Sequence, residues 1–211
     1  MKRNYSKELE NIIKENSNRK PRLLIHSCCA PCTSYVLEYL SEYFDITLLF
    51  YNPNISPKAE FEYRVSELKR LVLEMPIDKD LNILIPEYND REFYDVVKGL
   101  EDIPEGGERC FKCYEIRLKR AAKYAKENGF EYFTTTLSIS PYKNAEKLNE
   151  IGERLTGESV GVKWLPSDFK KKNGYKRSLE LSRIYNLYRQ DYCGCVFSKA
   201  EREKNKNTAG T

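Results

Sequence analysis

The sequence predicts a single α/β domain built on a mostly parallel sheet with helices on both faces. Short apolar, β-branched runs alternate with amphipathic helical stretches along the chain, the pattern of successive βα units. No internal repeat, low-complexity block or linker interrupts that alternation. A chain of 211 residues is also long enough to bury a substantial core without disulfides or a structural metal.

Taken in order, residues 6–18 predict an amphipathic helix with Ser6 as N-cap and Leu9, Ile12 and Ile13 on one face. Arg22–Ser27 predicts a buried strand, and Thr33–Phe44 a helix that turns Val36, Leu37 and Leu40 inward. A second strand over Ile46–Tyr51 ends at Asn52-Pro53-Asn54, and a long helix covers Lys58–Glu74. A strand near Asn82–Ile85 and a short helix near Asp90–Leu100 lead into the loop Glu101–Glu108, which contains Pro104, Gly106 and Gly107. That loop delivers Cys110 to the start of a helix running to Asn128 and stopping at Gly129. Glu131–Thr136 is the next strand, after which Pro141 reads as the first residue of a helix capped by Ser140. Gly161–Leu165 is a last strand and Tyr175–Tyr188 a last long helix. The domain then divides into an N-terminal helix (1–20), a catalytic core (22–198) and a polar tail (199–211) that is expected to fray.

The N-terminal stretch is charged and lacks an apolar signal segment, and no run is long enough to cross a membrane, so a cytoplasmic protein is expected. In that compartment the seven cysteines imply metal or redox chemistry rather than structural bridges, and an odd number cannot all pair. A net charge of +4, from 36 basic and 32 acidic residues, does not by itself make a nucleic-acid binder. The basic residues do cluster, at Lys170, Lys171, Lys172, Lys176 and Arg177 and again at Lys199, Arg202, Lys204 and Lys206. Such runs more often make a solvated face than an interface.

The cysteines fall into three groups. Cys28, Cys29 and Cys32 follow the first strand, at the sheet edge where ligands gather in such folds. Cys110 and Cys113 share one face at a helix N-terminus, whose partial positive charge favours thiolates. Spacing alone leaves zinc, an iron–sulfur centre and a dithiol redox pair open. The wide separation of these groups and the adjacency of Cys28 and Cys29 suit a cuboidal iron–sulfur cluster better than a compact zinc ribbon. Cys29-Ala30-Pro31-Cys32 also has the form of a thioredoxin-like dithiol, though no Trp precedes it. Cys193-Gly194-Cys195 differs: the glycine lets two sulfurs meet in a small, easily reduced ring, as in a redox-active disulfide, with further metal ligation as the alternative.

His26 is the only histidine, which argues against a catalytic triad and for a structural hydrogen bond at the strand end. Ser138-Ile139-Ser140-Pro141-Tyr142-Lys143-Asn144 sits where a helix N-terminus would cradle a substrate phosphate, although ordinary capping needs only Ser140. Asp191 and Tyr192, beside the Cys-Gly-Cys pair, are candidates for proton donor or metal ligand. Neither a Walker loop nor a dinucleotide fingerprint is present.

Five motifs in one order carry a resemblance. Cys28-Cys29-Ala30-Pro31-Cys32, Tyr51-Asn52-Pro53-Asn54-Ile55, Arg109-Cys110-Phe111-Lys112-Cys113-Tyr114, Ser138 to Asn144 and Asp191-Tyr192-Cys193-Gly194-Cys195 together resemble the QueH-type epoxyqueuosine reductases. The resemblance covers all but the N-terminal helix and the C-terminal tail. It implies a Rossmann-like fold related to PP-loop ATPases, and reduction of epoxyqueuosine to queuosine at the tRNA wobble position, the last step of queuosine biosynthesis, without cobalamin or ATP. In the related ATPases a Ser-Gly-Gly loop binds pyrophosphate; Ser27-Cys28-Cys29-Ala30 stands there instead. The resemblance further implies that Cys28, Cys29, Cys110 and Cys113 ligate a [4Fe–4S] cluster and that Cys193 and Cys195 are the redox pair. Cys32 is left as an extra ligand, for the cluster or for an additional iron ion.

The reaction needs two electrons and two protons, and an iron ion with an open position would act as Lewis acid on the epoxide oxygen. Asp191 or Tyr192 would protonate that oxygen. A low-potential donor such as ferredoxin or flavodoxin is expected. For the tRNA, Ser140, Lys143 and Asn144 with Lys171 and Lys172 are the expected contacts, and the wobble nucleotide would flip into the site. The competing functions are a zinc-stabilised tRNA-binding module, a thiol–disulfide oxidoreductase and a PP-loop-type thiolation enzyme, the last disfavoured by the missing Ser-Gly-Gly loop.

Overall fold

A computed structural model describes residues 3–77, 81–158 and 161–208. In chain order the elements are α1 (Tyr5–Glu15), β1 (Arg22–His26), α2 (Ala30–Leu40), β2 (Asp45–Leu49), α3 (Lys58–Glu74), β3 (Asn82–Leu84), α4 (Arg91–Val97) and α5 (Glu108–Glu127). There follow β4 (Tyr132–Thr135), a 3₁₀ turn (Thr136–Ile139), α6 (Ala145–Glu158), β5 (Lys163–Trp164), α7 (Gly174–Ile184) and α8 (Val196–Thr208). The five strands form one sheet in the order β3-β2-β1-β4-β5, every pair parallel. The predicted α/β class is the observed one.

The period-two geometry of β1 explains why both faces are covered. Leu23 and Ile25 point into a core shared with Val36, Leu37 and Leu40 of α2 and Leu68 and Leu71 of α3. Leu24, between them, points the other way, against Leu118 and Ala122 of α5 and Leu148 and Ile151 of α6. Each such fully buried aliphatic side chain contributes roughly 1.5–3 kcal/mol. The strand order reverses at β1, whose neighbours β2 and β4 lead to opposite halves of the sheet. The crevice beyond the carboxyl ends of β1 and β4 is therefore the place for a ligand.

Several boundaries differ from expectation for local reasons. Asn4 rather than Ser6 caps α1, its side chain accepting from the Lys7 amide. Helix α2 starts three residues early because Pro31 fits the first turn, leaving Cys29 as N-cap. The same proline rule fails at Pro141: a turn intervenes, and α6 begins at Ala145, where the Asn144 side chain accepts from Lys147 N at 3.0 Å. The expected fraying tail is instead helix α8, fastened by Arg109 to Glu201 at 2.8 Å and Lys206 to Asp191 at 2.6 Å. Residues 209–211 of that tail lie outside the described residues. Among the described residues no helix is long and apolar enough to cross a membrane.

Gly152 of α6 lies under Trp164, whose Nε1 donates to Asn149 Oδ1 at 2.9 Å, and a Cβ on this glycine would stand 2.1 Å from the indole. Alanine is ordinarily the better helix former by about 1 kcal/mol. Here Gly152→Ala is expected to destabilise the fold by roughly 1–3 kcal/mol through overpacking. The change is read as a lowered thermal midpoint; a raised midpoint would mean that Trp164 yields without cost.

Candidate metal and redox centre

Loops and helix N-termini at the crevice bring all three cysteine groups to one end of the sheet. Cys28, Cys29 and Cys32 gather their sulfurs within 4.8 Å of one another, with Cys28 and Cys29 3.8 Å apart. Thr136, just after β4, holds Cys28 from the neighbouring strand. Its hydroxyl oxygen accepts from the Cys28 amide at 3.2 Å and lies 3.3 Å from the Cys28 sulfur. The three thiols share charge unequally. Hydrogen bonds from Cys28 and Cys32, with Arg64 nearby, hold Cys29 well below the ordinary thiol range, whereas Cys28 is pushed up to about 12 chiefly by the hydrogen bond it gives Cys29.

Cys110 and Cys113 stand in the first turns of α5, whose N-cap is Gly107. The Cys110 sulfur accepts from Gly106 N at 3.3 Å. Cys113 packs with Cys193, Cys195, Phe93 and Val97, and burial pushes its thiol up to about 11. The Cys193 and Cys195 sulfurs are 3.6 Å apart as free thiols. Gly194 between them has φ +112, a conformation a side chain rarely adopts, and a Cβ there would meet Arg64 Nη1 at 3.0 Å. Ser198 ties this turn down, accepting from Cys193 N at 3.2 Å and sending its own amide to the Cys195 sulfur at 3.4 Å. The hydrogen bond from Cys195, reinforced by Lys143 against the cost of burial, holds Cys193 well below the ordinary thiol range and pushes Cys195 up.

A cavity of about 470 Å³ opens here, with Cys28, Cys29, Cys32 and Cys193 in its wall. Three buried cations that sequence reasoning missed, or misplaced, also line it. Arg117 is 4 % exposed; its Nε donates to Cys113 O at 3.2 Å and its Nη1 to Asn52 Oδ1 at 3.2 Å. No carboxylate among the described residues pairs with it. Burial opposes its charge, but Cys113, Cys28 and Cys193 more than restore it. Arg64 pairs with Glu60 at 2.7 Å and donates to Cys193 O at 3.3 Å. Lys143, expected at the surface as a phosphate contact, is 9 % exposed and pairs with Glu105 at 2.7 Å. Glu105 in turn accepts from the Ser198 hydroxyl at 2.8 Å.

The remaining predicted site residues scatter. Ser140 lines the cavity, but Asn144 is occupied in capping α6. Lys171 and Lys172 border a different and smaller cleft of about 160 Å³, where Lys172 is ion-paired to Glu10. They are not at the cysteine cavity. Asp191 and Tyr192 do line it. The hydrogen bond from Lys206 holds Asp191 below the usual carboxylate range, so it carries no proton at neutral pH. Burial raises Tyr192, which keeps its proton and lies under the Arg64 guanidinium, 5.5 Å from the ring centre. His26 is structural as expected: its Nε2–H donates to Tyr51 O at 3.1 Å and its Nδ1 accepts from the Thr135 hydroxyl at 2.8 Å.

The donor set suits a soft, anionic metal group. Cys28, Cys29, Cys32 and Cys193 line the cavity together with the buried Arg117, which has no carboxylate partner among the described residues, and the buried Tyr114 hydroxyl, beside Cys110 and Cys113, has no hydrogen-bond partner among them.

Known proteins resemble this chain over most of its length. The family model described as epoxyqueuosine reductase QueH matches residues 23–201. A Staphylococcus epidermidis protein named epoxyqueuosine reductase QueH is 44 % identical over 201 residues, covering 92 % of this chain and 84 % of its own length. Proteins of the same name from Streptococcus pyogenes and Thermotoga maritima are 42 % and 38 % identical, over 92 % and 86 % of this chain and 78 % and 92 % of their own lengths.

Proposed function

The chain belongs to the epoxyqueuosine reductase QueH family, and on that premise we propose that it reduces epoxyqueuosine to queuosine at the anticodon wobble position of tRNA. A [4Fe–4S] centre held by Cys28, Cys29, Cys110 and Cys113 is part of this reading, and Cys32 serves as an extra ligand, for that centre or for an additional iron ion. The observation that carries it is Arg117, buried with no carboxylate partner among the described residues, its Nε donating to Cys113 O at 3.2 Å and its charge near both Cys28, just after β1, and Cys113 of α5. An anionic centre between those thiols supplies the missing countercharge.

When bound, such a centre supplies electrons one at a time, drawn from a low-potential donor of the ferredoxin or flavodoxin kind. The chain's own residues complete the balance. Oxidation of the Cys193 thiolate and the Cys195 thiol to a disulfide releases two electrons and one proton, and a proton from Tyr192 makes two of each. Converting an epoxide to an alkene and water consumes the same number. Tyr192 holds a proton at the cavity wall, while Asp191 is kept ionised by Lys206. With the hydrogen bond from Cys195, Lys143 favours the Cys193 thiolate and, through Glu105 and Ser198, fixes the turn that carries it.

Protein prepared without oxygen is expected to contain iron and acid-labile sulfide in stoichiometric amounts and to give a reduced-cluster EPR signal after dithionite. Zinc without sulfide would overturn the redox reading and leave a structural metal site.

A further inference from the structure

The cavity has a rim as well as a floor, and the rim carries chemistry that the reaction itself does not use. Tyr142 stands there with 66 % of its surface exposed. Its ring has no aromatic or cationic neighbour among the described residues, and its hydroxyl makes no hydrogen bond. A single exposed aromatic is ordinary; this one is set apart by how firmly its backbone is held. Its amide donates to Ser140 Oγ at 3.3 Å. Buried residues anchor it on either side, Ile139 at 1 % exposure and Lys143 with its 2.7 Å link to Glu105.

The same rim carries Arg189, in the segment after α7, and Arg202 on α8. Both are exposed, and neither has a carboxylate within ion-pairing distance among the described residues. An exposed aromatic ring beside two exposed guanidiniums, Arg189 donating to Ser182 Oγ at 3.0 Å and Arg202 near Asp191 without an ion pair, over a cavity with a cationic floor, is the combination with which proteins hold single-stranded nucleic acid. The base stacks, the phosphates meet the cations, and a nucleotide turned out of its stack enters the cavity.

We propose that Tyr142 and Arg202 form a clamp at the cavity mouth, Tyr142 stacking on a base that flanks the nucleotide in the cavity and Arg202 neutralising a phosphate of the same strand. This rests on the tRNA reading above and replaces Lys171 and Lys172 as the contact surface, since those lysines border another cleft and Lys172 is spent on Glu10.

The test is binding of a transcribed anticodon stem–loop RNA, with guanosine at the wobble position, to the metal-loaded protein across a range of salt concentrations. Tyr142→Ala is expected to weaken binding roughly tenfold or more at every salt concentration without changing the salt slope, and Tyr142→Phe to bind like wild type. Arg202→Gln is expected to lower the slope of log affinity against log salt by about 0.7, one phosphate's share on a single strand. Both side chains are exposed, so the thermal midpoints stay at the wild-type value. Wild-type affinity in Tyr142→Ala overturns the clamp, whether or not that variant accepts electrons more slowly, as it would if the ring docked a donor protein. Wild-type protein that neither binds the RNA nor reduces epoxyqueuosine-containing tRNA overturns the substrate reading, and the clamp with it.

Discussion

Cys193→Ser is expected to retain wild-type iron and sulfide while losing turnover by at least about a thousandfold, some 4 kcal/mol of barrier. Serine preserves the shape of the turn but cannot hold the oxidised form. In the proposed mechanism the pair, rather than either sulfur alone, is the working unit. The sulfurs lie 3.6 Å apart, Gly194 supplies the positive φ that lets them face each other, and Ser198 pins both ends. Cys195→Ser is expected to behave alike. Normal turnover in both variants would remove the dithiol from the mechanism. Loss of iron from Cys193→Ser would instead make that sulfur a ligand, which its packing against Cys113 would explain.

Cys110→Ser and Cys29→Ser are expected to be colourless and without detectable turnover, because each removes a ligand of the proposed metal group, and losing that group leaves Arg117, which is buried with no carboxylate partner among the described residues, without its countercharge. Breaking a buried charge arrangement from one side typically costs about 3–5 kcal/mol, so the thermal midpoints should fall as well. Cys32→Ser discriminates between ligand sets. If Cys28, Cys29, Cys110 and Cys113 hold the cluster, this variant keeps most of its iron and its spectrum. A colourless Cys32→Ser beside a coloured Cys110→Ser would assign the centre to the three sulfurs gathered within 4.8 Å after β1.

The architecture was legible because it is written in periodicities. The long helix expected at about Lys58–Glu74 is α3, with Phe61, Leu68, Leu71 and Val72 on its buried face. The grouping of the cysteines at one sheet edge was also legible, as it follows from where strands end and helices begin. What sequence alone hid was the fate of charged residues. Lys143 and Lys171 look alike in the chain, yet one is buried against Glu105 and the other borders a separate cleft. Arg117 had a usable signal: it lies four residues after Cys113 and seven after Cys110, hence on the same helical face. The tail looked disordered because it is polar. Its helix is held by Phe197, which stacks under Arg109, and by the Arg109–Glu201 ion pair, whose partners lie 92 residues apart.

The sheet and its two apolar layers are assembled almost wholly from residues that have no part in the thiol chemistry, from Leu23, Ile25 and Leu48 on one side to Leu24, Phe133 and Leu148 on the other. The cysteines sit on the rim of that scaffold, at element ends. With the proposed metal group, maturation in a cell has a natural sequence: the polypeptide reaches its shape first, and the inorganic part is delivered afterwards to a receptacle already formed. A starved cell would accumulate a folded, repairable precursor in place of a misfolded one.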